Sequence, residues 1–204
     1  MRGRFISFEG GEGSGKSTQA RILANYLSTI GQKAVLTREP GGTPGAEEIR
    51  DLLVNGRPDR WSPWSEACLV NAARVDHVER VIRPALERGT WVICDRFVDS
   101  TRAYQGAGKG LADADLCDLH RRTTGGLWPD LTLIMLLNPH AGLSRAGARG
   151  VAERRFEAHD EAFHARIAAF FEGLPGTEPE RCHGFDADQD IETLAAAIIA
   201  VVQP

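Results

Sequence analysis

Residues 10–18 read GGEGSGKST, and several residue types in that stretch could work on a phosphate chain together. Gly10 and Gly15 bracket four residues and lead into Lys16 and Ser17, the spacing of a P-loop. Glycines at 10, 11, 13 and 15 let successive backbone N–H groups turn toward phosphate oxygens, with Ser14 completing the turn. A helix starting here, with Thr18 in its first turn, adds partial positive charge. Lys16 is expected to bridge the β- and γ-phosphates of ATP, and Ser17 to ligate Mg2+. Glu12 is out of character, a carboxylate inside an anion cradle. Turned into the cradle it would repel a triphosphate, so it is expected to point toward a second substrate.

Other chemistry lies further along the chain. Asp95 ends the apolar run WVICD and is a candidate second acid for the metal shell. Arg38, in TREPGGT, and Arg96 stand at the carboxyl ends of predicted strands, where a second anionic substrate could bind. Residues 145–155 hold Arg145, Arg149, Arg154 and Arg155, with Gly142, Gly147 and Gly150 nearby. Arginines on a hinged flap suit phosphoryl transfer, where charge must be neutralised and water excluded. A solvated basic helix face is the plainer reading of the same residues. Arg74 interrupts the apolar stripe Ala67, Val70, Val78, Val81, Ala85, so it faces a core. A buried arginine needs either an internal carboxylate or a ligand. The chain has no NKxD-like guanine reader, which favours a kinase over a switch GTPase. Another monophosphate kinase and a P-loop ATPase or switch remain the alternatives.

The elements that must hold these residues alternate. RFISFEG (4–10), KAVLTRE (33–39), WVICDR (91–96) and LTLIMLL (131–137) are near-continuous apolar runs, as strands buried on both faces of a parallel sheet read. HGFDA (183–187) is a weaker fifth. Helical patterns cover 15–30 and roughly 45–54, 112–123, 159–172 and 190–202. Another opens at Ser62-Pro63, a cap followed by proline at the first helical position. The expected fold is α/β: a three-layer P-loop kinase with a five-stranded parallel sheet, helices on both faces and an arginine-rich lid.

Length and composition bound the rest. A chain of 204 residues is expected to form one domain, with a lid at about 142–157. A formal charge of −4 argues against a nucleic-acid binder. Four cysteines without a CxxC pair read as reduced thiols, and six histidines lack zinc-like spacing. The glycine loop comes within ten residues of the start and no run reaches a membrane span's length, so a cytoplasmic protein is expected.

FEGGEGSGKST, TREPGGT, AARVDH, DRFVDSTRAYQGAGKGL and RRFE resemble, in order and spacing, the bacterial thymidylate kinases. The resemblance spans residues 4 to about 166, and FDADQDIE looks like that family's segment near the adenine. It implies ATP and dTMP as substrates, Mg2+ as cofactor, and a homodimer through helices around 66–85. By it, Arg96 and Arg38 hold the dTMP phosphate, and Arg74 donates to the thymine O4 edge. Thr101 lies against the base, with Gln105 in the same stretch, and Tyr104 packs on the sugar where a ribose 2′-OH would project. Glu12 accepts from the sugar 3′-OH. Lys16, Arg96, Arg155 and Arg149, with Arg145 beside them, would act on the transferring phosphoryl group. Three positions depart from the family pattern. Val70 replaces a phenylalanine that stacks on thymine, Arg154 replaces an aspartate, and Leu136 replaces the aspartate that often ends the fourth strand.

Overall fold

The computed structural model describes residues 2–148 and 154–203. β1 (Phe5–Gly10) is buried along its whole length, as an unbroken apolar run requires of a central strand. β2 (Ala34–Arg38), β3 (Trp91–Asp95), β4 (Leu131–Leu136) and β5 (Cys182–Asp186) join it in the order β2-β3-β1-β4-β5. Every neighbouring pair is parallel. All five expected strands are present. β2 departs from the expected burial on both faces, because it lies at the sheet edge and leaves Leu36 45% exposed. The register sets Phe8 and Arg38 opposite Asp95, so both basic turns and the glycine loop leave the sheet at one carboxyl edge.

The helices are α1 (Lys16–Thr29), α2 (Pro44–Val54), α3 (Pro63–His77), α4 (Arg83–Glu87), α5 (Val98–Thr101) and α6 (Asp113–Thr124). They continue with α7 (Pro139–Ala148), α8 (Arg154–Glu157), α9 (Glu161–Thr177) and α10 (Ile191–Val202). On one face of the sheet, Leu23 and Leu27 of α1 pack with Leu194 and Ile198 of α10 against Ile6, Phe8 and Leu133. On the other, a π-helical turn at Val78–Ile82 carries α3 into α4, and Val78, Ile82 and Ala85 cover Phe5, Val92 and Cys94. Three layers result, as expected.

Local chemistry explains most of the boundaries. Ser62 Oγ accepts from Ser65 N at 3.3 Å and Pro63 opens α3, the predicted cap. Asp160 and Asp190 cap α9 and α10 in the same way. α9 extends beyond its expected end and carries Pro175 in its last turn. α5, the π-helical stretch Arg102–Gly108, α7 and α8 have no apolar stripe of helical period and went unmarked in sequence. Tertiary packing holds the π-helical stretch instead: Ala103 and Tyr104 are buried with Phe163, Ile167 and Phe171 of α9. Among the described residues, no helix is long and apolar enough to cross a membrane.

Candidate active site

The glycine loop sits between β1 and α1. Gly15 caps α1 with φ 87°, a left-handed geometry that glycine adopts without steric cost. A side chain on Gly13 would meet the Gly142 carbonyl at 2.0 Å, and one on Gly142 would meet the Glu12 carbonyl at 2.3 Å. The loop and α7 therefore pack backbone against backbone, and Gly142 is an abutment rather than a loose hinge. Lys16 Nζ donates to the Gly11 carbonyl at 2.6 Å and to Ser14 Oγ at 3.3 Å. Burial and the neighbouring Arg96 push the ammonium pKa down to about 8, against the pull of Glu12, Asp95 and Glu9. Ser17 Oγ donates to Asp95 Oδ2 across the start of the helix. The loop, Arg38, Arg50, Asp95 and Arg96 line an open trough of about 920 Å³.

Arg96 turns the chain out of β3 with φ 71°. Glu9, fully buried at the end of β1, accepts from Phe97 N at 2.7 Å and from Ser100 Oγ at 2.6 Å, clamping that turn. Burial and the nearby Asp99 carboxylate raise the Glu9 pKa. Arg96 donates to the Gly10 carbonyl and Ser100 Oγ, each at 3.1 Å, and to Glu12 Oε1 at 3.0 Å. Tyr104 OH donates to the same Glu12 oxygen at 2.7 Å. Burial would raise the Glu12 pKa, but Arg96 and Lys16 outweigh it and hold it at about 2. Its carboxylate is bonded to Arg96 and Tyr104.

A second cavity of about 470 Å³ adjoins the trough, and Glu12 and Arg96 line both. Its walls include Val70, Arg74, Thr101, Tyr104, Gln105 and Phe156. Arg74, 1% exposed, donates from Nε to Glu39 Oε2 at 2.7 Å and from an Nη to Thr101 Oγ1 at 2.8 Å. An internal carboxylate thus satisfies one edge of the buried arginine while the residue still lines the pocket. Burial would raise the Glu39 pKa, but Arg74 and a hydrogen bond with His77 hold it down. Gln105 Nε2 donates to Glu66 Oε1 at 2.8 Å.

Two adjoining cavities, one lined by the glycine loop and one lined by Arg74, Arg96 and Tyr104, can be set beside known proteins. A family model described as thymidylate kinase matches residues 8–198. The chain belongs to the thymidylate kinase family. It is 55% identical to the thymidylate kinase of Caulobacter vibrioides, over 98% of this chain and 96% of that one. It is 48% identical to the thymidylate kinase of Nitrobacter hamburgensis, over 100% and 89% of the two chains. Its fold superposes on the crystal structure of thymidylate kinase from Ehrlichia chaffeensis with a TM-score of 0.82. That match covers 100% of both chains at 34% identity.

Within this thymidylate kinase family member, the expected residues divide between the two cavities. Lys16, Ser17, Asp95 and Arg38 line the trough, with the loop residues Glu12, Gly13, Ser14 and Gly15. The Gly10 and Gly11 carbonyls accept from Arg96 and Lys16, and Thr18 lies half-buried in the first turn of α1. Val70, Arg74, Thr101, Tyr104 and Gln105 line the second cavity. Arg38 is held by Glu47 at 3.0 Å and stays half exposed at the trough rim. Magnesium fits the trough: Ser17 and Asp95 are hard oxygen donors, and this ion takes one or two protein oxygens together with substrate phosphates. Among the described residues, no larger cluster of metal-binding side chains exists.

Of the flap arginines whose side chains are described, Arg145 and Arg155, neither lines the trough. Arg149 lies outside the described residues. Arg145 donates to the Ala187 carbonyl at 3.0 Å and Asp188 Oδ1 at 2.7 Å, tying α7 to the FDADQ turn. Arg155, expected over the phosphoryl group, is buried elsewhere, on the carbonyls of residues 53, 57 and 58. Four acceptors, including Glu66, occupy its guanidinium there. Sequence reasoning also assigned no role to Glu9, Glu39 and Glu66. The signal for Glu9 was present, since a carboxylate inside a buried strand run must be bonded to something.

Proposed function

We propose that the protein transfers the γ-phosphoryl group of ATP to dTMP, giving ADP and dTDP. The observation that carries this reading is the wall shared by the two cavities. A monophosphate held at Arg96 in the second cavity would present its phosphate to the mouth of the P-loop. An oxygen of that phosphate attacks the γ-phosphorus; the new P–O bond forms as the bond to the β,γ-bridging oxygen breaks, and its electrons leave with ADP. The acceptor phosphate is already an anion, so no general base is needed.

The protein's task is then positioning and charge neutralisation. Lys16 gives up its hold on the Gly11 carbonyl to meet the β- and γ-phosphates. Arg96 and Arg38 neutralise the acceptor phosphate at the trough. A magnesium ion arriving with ATP would be held by Ser17 and Asp95 and would supply positive charge to the phosphate chain. Arg74, Thr101 and Gln105 present polar groups to the base, while Tyr104 and Glu12 flank the sugar. A homodimer through the stretch around 66–85 belongs to the same reading on family resemblance. Sedimentation tests it, and a monomer at assay concentration removes it.

The activity test is ADP formation from Mg-ATP with dTMP, dUMP, UMP, dCMP, dGMP, AMP or no acceptor. The expected result is dTMP well above the others, dUMP slow but measurable for lack of one methyl, and a silent blank. A different preferred acceptor refutes the substrate. ADP formed equally without acceptor refutes phosphoryl transfer to a nucleotide.

A further inference from the structure

α8 carries two neighbouring side chains that face different surroundings. Arg155 is 1% exposed. Its Nε donates to the Arg57 carbonyl, one Nη to the Leu53 carbonyl and the other to the Pro58 carbonyl, each at 3.0 Å. It also pairs with Glu66, a carboxylate fully buried in α3. Glu66 in turn accepts from Gln105 at 2.8 Å and from Lys109 Nζ at 2.9 Å. One buried acid thus joins α3, the π-helical stretch 102–108 and α8. For Arg155 to reach a transferring phosphoryl group it would have to abandon four acceptors, leaving the buried Leu53 carbonyl unpaired and buried Glu66 with Lys109 as its one remaining cation partner. An arginine so saturated serves to fix the backbone that bears it.

The residue thereby fixed is Phe156. Its ring lines the second cavity and stands edge-on to Tyr104, with centroids 5.6 Å apart and planes at 90°. The Arg155 guanidinium lies 5.2 Å from the centre of the same ring. Tyr104 then donates to Glu12, so Phe156 touches the chain of contacts that defines the acceptor side. Val54 and Val70 line the same cavity as aliphatic surface. Of its other aromatic residues, Phe97 is fully buried beside Arg74 and Tyr104 is tied to Glu12, which leaves half-buried Phe156 as the ring free to meet a flat base.

We infer that Phe156 is a specificity-determining contact for the acceptor's base, and that Arg155 is a positioning residue that staples it in place through Glu66. The inference rests on the second cavity being the dTMP site. It gives the helix after the arginine-rich segment a part in acceptor recognition, and it assigns Arg155 a role other than contact with the transferring phosphoryl group.

Steady-state kinetics of Phe156→Ala, Phe156→Leu and Arg155→Ala test it, with dTMP binding measured in parallel by calorimetry. Phe156→Ala is expected to raise the dTMP KM and Kd about tenfold, the scale of a lost base–aromatic contact. Phe156→Leu, which keeps the volume without the aromatic face, is expected to fall between it and the parent, while the ATP KM stays within about twofold in both. Arg155→Ala is expected to raise the dTMP KM as well, and combining it with Phe156→Ala adds less than the two single effects together. An unchanged dTMP KM in the Phe156 variants, with the parent enzyme still using dTMP, overturns the inference and leaves the function standing. So does an Arg155→Ala enzyme that keeps its dTMP KM and loses turnover by more than about a hundredfold, which is the signature of a transition-state contact. A parent enzyme inactive on dTMP refutes the function itself.

Discussion

Replacing Glu12 with glutamine tests the central electrostatic contact. Its carboxylate is 12% exposed and receives Arg96 at 3.0 Å and Tyr104 at 2.7 Å on one oxygen. The Glu12 pKa falls from the ordinary 4.5 to about 2 despite burial. A depression of that size favours the ionised folded form by about 3 kcal/mol at neutral pH. Glutamine keeps the shape and an acceptor but loses the charge, and charge-assisted hydrogen bonds are about twice as strong as neutral ones. Glu12→Gln should therefore cost about 1–2 kcal/mol of unfolding free energy at pH 7.5. The pH dependence has a defined sign. A carboxylate whose folded pKa is depressed contributes fully above its unfolded pKa and loses that contribution as pH falls toward the folded value. The gap between parent and variant should then close by about 1 kcal/mol between pH 5.5 and pH 3.5. Urea denaturation at pH 7.5, 5.5 and 3.5 measures it. A gap that is the same at all three values, or a variant more stable at pH 7.5, would refute the reasoning.

Other expectations follow from the same geometry. With the Lys16 pKa lowered to about 8 and ATP phosphates requiring the ammonium form, ATP affinity should weaken as pH rises through that value. Titration calorimetry from pH 7 to 9.5 checks this, and Lys16→Arg should flatten the slope. Glu39→Ala strips Arg74 of its buried carboxylate and should cost about 3–5 kcal/mol, read from the urea midpoint. A loss below about 1 kcal/mol would mean that the arginine finds another partner. Val70→Phe adds an aromatic wall to the acceptor cavity and should tighten dTMP binding by about 1–3 kcal/mol; an unchanged or higher Kd contradicts it.

Where structure is set by neighbours in the chain, it was legible. The P-loop needs glycines at positions where left-handed backbone or close approach occurs, and Gly10, Gly13 and Gly15 all have positive φ. The Ser62-Pro63 start of α3 is equally local, since cap and first turn are adjacent in sequence. β1, β3 and β4 announced themselves as apolar runs because burial inside the sheet demands it, while β5, a partly buried edge strand, read more weakly. Helices without an apolar stripe were not legible. α7 and α8 rest on contacts with the loop and with the end of α2, and the π-helical turns break the period by which a helix is recognised.

The sequence by itself determined that a glycine loop with P-loop spacing opens at the carboxyl edge of a parallel sheet. It also led to the expectation that Glu12 points toward a second substrate and that Arg74 faces the core and needs an internal carboxylate or a ligand there. Only the tertiary structure decided the partners: Glu39 for Arg74, Arg96 and Tyr104 for Glu12, and Glu66 for Arg155. The physical reason is one of range. Steric and hydrogen-bonding preferences of a loop are exhausted within a few residues, so its residue types can be read directly. A buried charge is satisfied by whichever opposite group the packing of remote elements brings within about 3 Å, and no local pattern encodes that choice.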